Sequence, residues 1–374
     1  MNLMLTGRCN FNCHHCFNAA DNAAIMTEWD YDELLDLLDQ ASDCGIHSIT
    51  LTGGEPMLHP RFMDVVHAIY ERNMVLERLT TNGWYLTEET LDEFSALGCS
   101  PEIKISFDGV GTHDWMRKHP GAEESALRTL RLCSDKGFRT MAQVQVHRGN
   151  LDRMYETLAV LEDVGVSSAR LIRTTETVRW ALNAPNGSLS FEEYFEHMLD
   201  LAEEYLRGDH AMQVVIWRYP VLDARNKSYS LVMQRQPDGV YRPTAPVCLG
   251  NRTMMAVGSD GEVLPCLQLG GLLTAYGQRF DSLKERRLAE ILREGTWLDS
   301  VCMNHYHLRK NNAKCDGCEW FGLCGGGCRA LGMLFSAEDG GPLNYSGSDP
   351  LACLFYKGGW YDRVRDRLKD YELI

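Results

Sequence analysis

The sequence predicts an α/β protein: a partial (β/α)6 TIM-type barrel followed by a loop-rich domain that relies on metal. Three observations predict it. Short apolar runs alternate with amphipathic helical stretches over residues 1–175. Capping and turn residues recur at the junctions between them. The 14 cysteines among 374 residues cluster at short spacings, mostly near the two ends of the chain.

The strand-like runs are Leu3–Leu5, Ser48–Thr52, Leu76–Thr81, Glu102–Phe107, Met141–Val146 and Ser168–Ile172. Between them Asp30-x-x-Glu33 has the form of a capping box. Leu34, Leu38 and Ala41 follow at helical spacing, and Gly45 stands where a C-terminal cap belongs. Thr87 with Glu88 and Glu89 opens the next clear helix, which closes near Gly98. Two more helical stretches run over Glu123–Lys136 and Leu151–Val164, each ending at a glycine. Eight β/α units close a full barrel, so six predict an open one. In either case function belongs to the loops at the C-terminal ends of the strands.

Residues 176–245 read as a connecting region. Ser190-x-x-Glu193 caps a helix that runs to about Leu206, and a strand-like run, Gln213–Trp217, follows. Gln234–Pro246 has the composition of a linker. Residues 246–374 form the second, cysteine-rich domain.

Composition narrows the function classes. A formal charge of −15 weighs against nucleic acid, whose phosphates are bound by Lys and Arg. No apolar run approaches the ~20 residues of a membrane span. The N-terminus lacks the basic and apolar regions of a signal peptide, so a cytoplasmic enzyme is expected. Clustered cysteines in such a chain point to metal ligation rather than disulfides.

The first cluster, Cys9-Asn10-Phe11-Asn12-Cys13-His14-His15-Cys16, has the spacing C-x3-C-x2-C. Fe–S cubes normally take four thiolates, so three from one loop leave an iron open for chemistry. The bland alternatives are a zinc site completed by His14 or His15, and three unrelated buried cysteines. Zinc sites usually pair their ligands, and no second pair lies nearby.

This cluster follows the first strand, and Gly53-Gly54-Glu55-Pro56 follows the second. Together they resemble the radical S-adenosylmethionine (SAM) superfamily, over the whole first domain. The resemblance implies that Cys9, Cys13 and Cys16 hold a [4Fe–4S] cluster and that SAM chelates its open iron. SAM would then be cleaved reductively to a 5′-deoxyadenosyl radical. It implies SAM contacts at Gly53, Gly54 and Glu55 for the amino group and at Ser106 and Asp108 near the ribose and carboxylate. Thr81 and Asn82 would line the site, while His15 and Val146 would lie against adenine. Arg117 is a candidate partner of the SAM carboxylate, set against a surface arginine in a long loop.

Seven further cysteines, Cys248, Cys266, Cys315, Cys318, Cys324, Cys328 and Cys353, resemble the SPASM extension and its two auxiliary [4Fe–4S] clusters. The resemblance assigns Cys248, Cys266 and Cys328 to the first. It assigns Cys315, Cys318, Cys324 and Cys353 to the second, making three clusters in all. The first auxiliary site is one ligand short; Cys302 could complete it, or one iron is open to substrate. A four-cysteine zinc knot is the bland alternative here. Cys44, Cys99 and Cys133, near helix ends, read as small buried hydrophobes.

Enzymes of this resemblance mostly modify peptides or proteins. The leading expectation is a maturase of a ribosomally made peptide, forming a thioether or C–C crosslink or a related modification. Flavodoxin or ferredoxin is the expected electron donor. The chain begins almost at its first strand. Leader recognition is therefore expected from the core, the connecting region or a separate leader-binding protein. Anaerobic sulfatase maturases place a catalytic Asp where this chain has Leu267, which lowers that alternative. Modification of a cofactor precursor, such as a peptide-derived quinone or a haem-type tetrapyrrole, or of a small metabolite is the other enzymatic alternative. An Fe–S electron carrier is the non-enzymatic one.

Overall fold

The structure is a computed structural model that describes residues 1–16, 26–176, 178–231, 239–248, 255–267, 269, 279–295, 301, 303–338 and 344–371. The chain forms two compact units. One comprises Met1–Ser228 with Val257–Gly261, the other Tyr229–Ala256 with Glu262–Ile374.

In the first unit β1 (Asn2–Met4) leads to α1 (Tyr31–Asp43), β2 (Ser48–Thr52), α2 (Phe62–Glu71), β3 (Val75–Thr81) and α3 (Glu88–Ala96). Then come β4 (Glu102–Ser106), α4 (His113–Arg117), α5 (Ala122–Asp135), β5 (Thr140–Val146), α6 (Met154–Asp163) and β6 (Ser168–Arg173). The caps form where the sequence predicts them. Asp30 and Glu33 complete a capping box on α1, and the Thr87 side chain accepts from the Thr90 amide at the start of α3.

Strands β1 to β6 pair in sequence order, each parallel to the next. Parallel crossovers are almost always right-handed. Without a reversal of strand order, every helix therefore falls on one face, as in a barrel and unlike a doubly wound sheet. The strand residues divide accordingly. Ile103, Ile105, Ala142, Val144, Ala169 and Leu171 are fully buried. The alternate positions Glu102, Lys104, Ser106, Gln143 and Arg170 are only half-buried. Gly83, beneath α5, shows which side the helices take: an added Cβ would meet Ile105 at 3.3 Å and Thr129 at 3.5 Å.

The segment expected to connect the two domains gives the first unit α7 (Val178–Asn183) and α8 (Phe191–Arg207). It also gives β7 (Gln213–Ile216), parallel to β6, and β8 (Pro220–Asp223), antiparallel to β7. Ser190 and Glu193 form the expected capping box on α8. The partial barrel thus has one more parallel strand than its six predicted units, among the described residues.

The second unit is built of short helices and turns. They are α9 (Leu288–Glu294), α10 (His305–Lys310), α11 (Phe321–Cys324), α12 (Arg329–Glu338), α13 (Pro350–Lys357) and α14 (Trp360–Arg367). Its apolar groups are small. Ala256, Leu264, Leu269, Phe280, Val301, Ala330 and Met333 form one; Val247, Leu308, Cys315 and Phe321 form another. Cysteines pack on both. No described helix is long and apolar enough to cross a membrane.

Candidate functional site

Cys9, Cys13 and Cys16 lie on the loop that leaves β1, and the turns after β2, β3 and β4 hold that loop. From β2, the Gly54 amide donates to the Thr6 carbonyl and the Glu55 amide to the Arg8 carbonyl, both at 2.8 Å. The contact is tight: a Cβ on Gly54 would stand 2.2 Å from the Arg8 carbonyl oxygen, and one on Gly53 2.5 Å from that of Thr6. Glycine is required here because two backbones touch. From β3, Asn82 Nδ2 donates to Asn10 Oδ1 at 2.7 Å. From α4, the Met116 carbonyl accepts the His14 amide at 2.9 Å.

Glu55 joins two of these turns. It is fully buried, and its carboxylate accepts from Thr81 Oγ1 at 2.7 Å and from the Asn82 amide at 2.8 Å. Burial pushes its pKa up to about 7, against the opposing effect of these donors.

Asp108 organises the turn after β4. Its Oδ2 lies 2.7 Å from Arg117 Nη2, and Oδ1 accepts from the Gln145 amide at 3.1 Å. Asn150 Nδ2 donates to the Asp108 and Gln145 carbonyls, locking the end of β5 to this turn. Burial alone would raise the Asp108 carboxyl, but the Arg117 guanidinium holds it below the ordinary carboxylate range. The His113 ring is neutral: burial lowers its pKa, and Nδ1 accepts the Asp108 amide at 2.9 Å.

Arg117 is itself buried, at 6% exposure, and is therefore no surface residue of a long loop. Its Nη1 points at Cys13 Sγ, 3.6 Å away. The Phe11 amide donates to Cys9 Sγ at 3.4 Å. These donors favour thiolates, although burial outweighs the Phe11 amide and pushes the Cys9 thiol up to about 12; three thiols on one loop with such donors fit a [4Fe–4S] cluster held at three corners. Among the described residues no three His, Cys, Asp or Glu side chains converge as a metal-ion site.

The other predicted SAM contacts lie at the same ends of the strands. Ser106 is on the polar face of β4, and Thr81 and Asn82 are bound to Glu55 as above. Val146 is buried at the end of β5, where its carbonyl accepts the Thr174 amide at 2.9 Å. His15 Nδ1 lies 3.1 Å from Met116 Sδ; burial, reinforced by Arg117, lowers its pKa to about 3.

Sequence reasoning missed His113, Asn150 and an aromatic group beside the loop. His14, Trp115, His147 and Trp180 stand with ring centroids 4.6–6.1 Å apart. A cavity of about 550 Å³ borders that group, lined by Thr112, Trp115, His147, Gly149 and Pro185 among others. No local pattern marks these residues, since they meet from separate turns.

In the second unit Asp349 is the organising carboxylate. Oδ2 accepts the Cys328 amide at 2.7 Å, and Oδ1 caps α13 through Leu351 at 3.0 Å and Ala352 at 3.3 Å. The Cys353 amide donates to the Asp349 carbonyl at 3.0 Å. Cys315, Cys318, Cys324 and Cys353 are electrostatic neighbours: burial raises the pKa of Cys315, Cys324 and Cys353, and the charges of the others add to it. Cys266 and Cys328 share one apolar cluster, while Cys248 is half-buried next to Val247. Cys302 lies outside the described residues.

Residues 3–161 match the Radical SAM superfamily model. An AdoMet-dependent heme synthase of Methanosarcina barkeri is 24% identical over 332 residues, covering 87% of this chain and 89% of that protein. A PqqA peptide cyclase of Granulibacter bethesdensis is 24% identical over 339 residues, covering 89% and 83%. Among solved structures, Streptococcus suis SuiB bound to precursor peptide SuiA superposes with a TM-score of 0.68 at 13% identity, over 93% of this chain and 74% of that one. Native anSMEcpe with bound AdoMet superposes at 0.66 with 17% identity, over 99% and 98%. At such identities the two structures establish the fold alone. The family match lies over the very unit that carries the three-cysteine loop, and residues 3–161 form a domain of the radical SAM superfamily.

Proposed function

We propose that this enzyme modifies a peptide, as a maturase that forms a thioether or C–C crosslink or a related modification. The observation that carries the reading is the second unit. It sets Cys315, Cys318, Cys324 and Cys353 around one another and ties Cys328 and Cys353 to Asp349. This grouping supports reading the cysteines as donors for auxiliary clusters of the SPASM type, Cys248, Cys266 and Cys328 for the first and the other four for the second. PqqA peptide cyclase among the relatives supports a peptide substrate.

The radical SAM match implies SAM and a [4Fe–4S] cluster, which together would supply a carbon-centred radical able to take a hydrogen atom from substrate. The residues of the chain do the rest. Gly53 and Gly54 hold the β2 turn against the thiol loop, and Glu55 places a carboxylate for the SAM ammonium. Arg117, charged and fixed by Asp108, offers a fork for the SAM carboxylate. Ser106 and Asp108 flank the ribose, and His15 and Val146 the adenine. A crosslink removes two hydrogens from the substrate. One leaves as an atom and the other as a proton plus an electron, and the cysteines of the second unit would hold the electron acceptor.

The presence of heme synthases among the relatives favours a second reading, oxidation of a tetrapyrrole side chain. Sulfatase-type maturation is disfavoured because Leu267, 42% exposed, cannot accept a proton. A flavodoxin or ferredoxin would deliver the electron, and a separate protein could present the leader.

The test is anaerobic reconstitution with SAM and a strong reductant, following 5′-deoxyadenosine and substrate mass together. A peptide encoded beside the gene should lose two hydrogens in step with 5′-deoxyadenosine. Oxidation of an iron porphyrin with no change in any peptide would overturn the peptide reading in favour of the second.

A further inference from the structure

One charge arrangement on the polar face of the sheet has no structural explanation within the first unit. Arg78 pairs in register with Glu102, Lys104 stands two residues further along β4, and Arg170 shares a row with Ser106 and Gln143. Glu102 is already taken by Arg78 at 2.5 Å and lies 3.8 Å from Arg139. Lys104 makes no hydrogen bond or ion pair among the described residues. Arg170 lies over the Trp217 ring at 3.7 Å; its Nε is buried without a hydrogen-bond partner, and it has no ion pair among the described residues.

Two sequestered cations without an ion pair of their own among the described residues are anomalous. Charged groups away from water are normally paired, and this chain carries 52 acidic residues from which partners could have come. Burial, with Arg170 and Arg78 nearby, lowers the Lys104 pKa to about 7. Burial, Arg78 and Arg218 lower that of Arg170 to about 10. The arrangement therefore costs stability, and costs of this kind persist at functional sites. The half-buried state of both side chains leaves them accessible from the face opposite the helices.

We propose that Lys104 and Arg170 form a seat for a carboxylate of the substrate on the inner face of the barrel. The guanidinium offers two parallel donors and the ammonium a mobile point charge, a pairing suited to a carboxylate. Trp217 beneath the guanidinium holds its plane. The seat deepens the reading of this chain as a substrate-modifying radical enzyme and rests on it for the identity of the ligand. An acidic side chain or terminal carboxylate of a peptide and a propionate of a tetrapyrrole present the same chemistry, so the seat defines an anionic substrate class.

The experiment uses reconstituted holoprotein with SAM, pulsed with acetic anhydride at pH 7.5 and read by mass spectrometry as acetylation of Lys104, with exposed Lys369 as internal reference. Glutarate is the probe. It should slow labelling of Lys104 severalfold and saturably while leaving Lys369 unchanged. Arg170→Met should abolish that protection. Arg170→Lys, which keeps the charge and loses the fork, should weaken it about tenfold, as expected for one charge-assisted hydrogen bond. Lys104 labelling that ignores glutarate in the wild type overturns the seat, as does protection that survives Arg170→Met.

Further arms separate the sources. Protection by a Glu-containing peptide at lower concentration than glutarate assigns the seat to a peptide carboxylate. Protection by a porphyrin tetracarboxylate assigns it to propionates. A peptide with no carboxylate, Gln in place of Glu and its C-terminus amidated, that protects as well as its Glu counterpart overturns the seat. 5′-Deoxyadenosine measured on the same sample keeps the two claims apart. Its absence with protection intact refutes the radical reading alone, and its presence without protection refutes the seat alone.

Discussion

Replacing Asp108 by Asn tests the core of the site. Asp108 is fully buried, and its partner Arg117 is 6% exposed. The Oδ2–Nη2 distance of 2.7 Å marks a close, buried ion pair. Breaking a buried ion pair by removing one member costs about 3–5 kcal/mol, because the other charge is left uncompensated. Asn adds a second problem. Asp108 Oδ1 faces the Gln145 amide and Oδ2 faces Arg117, so both positions require an acceptor, and an amide has one oxygen. A domain holds roughly 5–15 kcal/mol in all, so the loss should be large. Cys13 Sγ, 3.6 Å from Arg117, limits it once the thiolate is bound to a cluster. Asp108→Asn should therefore lower the urea stability of the apoprotein by about 3 kcal/mol or more, and that of the holoprotein by less. The sign with pH follows. The folded-state pKa of Asp108 is depressed, so its contribution is present above the ordinary aspartate value near 4 and fades as pH falls below it. The gap between wild type and variant should shrink under acid. An apoprotein variant within about 0.5 kcal/mol of wild type at neutral pH would refute the reasoning, as would a double-mutant cycle with Arg117→Met that shows no coupling.

Other predictions follow from the same geometry. Gly54→Ala puts a Cβ 2.2 Å from the Arg8 carbonyl oxygen, so the thiol loop must shift; about 1–3 kcal/mol of stability and much of the bound iron should be lost, read by urea unfolding and iron assay. Lys104→Met removes a cation whose folded-state pKa is lowered. It should raise apoprotein stability by about 1–4 kcal/mol near pH 7, and it should abolish the rise in stability that wild type shows between pH 7 and the ordinary lysine value near 10.4. Glu55, with a pKa raised to about 7, should bind the SAM ammonium less well as pH falls below 7, by up to about tenfold per unit, and Glu55→Gln should remove that dependence in a SAM-binding titration. Three cubes require about 12 irons per chain, and Cys353→Ala should lower the count by about four while 5′-deoxyadenosine formation persists.

The six strands and the helices α1, α3, α5, α6 and α8 were legible because their signals are local: an apolar alternation, a capping residue, a closing glycine. Boundaries moved by a residue or so, except at α6, where residues 151–153 make a 3-10 turn before the helix begins. The seventh parallel strand, β7, was visible as a strand but not as a neighbour of β6. Pairing across 40 residues is decided by packing, and a short run does not encode its partner.

The same distinction holds for the site. The sequence by itself determined the three thiols on one loop, the glycine turn that must touch that loop, and the cysteine-rich second half, because spacing and residue type specify each of these within a few positions. Only the tertiary structure decided that Arg117 turns inward onto Asp108 and Cys13. Only it decided that Asn150 locks β5 to the Asp108 turn, and that Asp349 reaches back 21 residues to the Cys328 amide. It alone left Lys104 and Arg170 on one face without an ion pair among the described residues, the Glu102 carboxylate there being taken by Arg78. Charge pairing is a property of atoms brought together by the fold, and a lysine between two isoleucines reads in the sequence as nothing more than strand alternation.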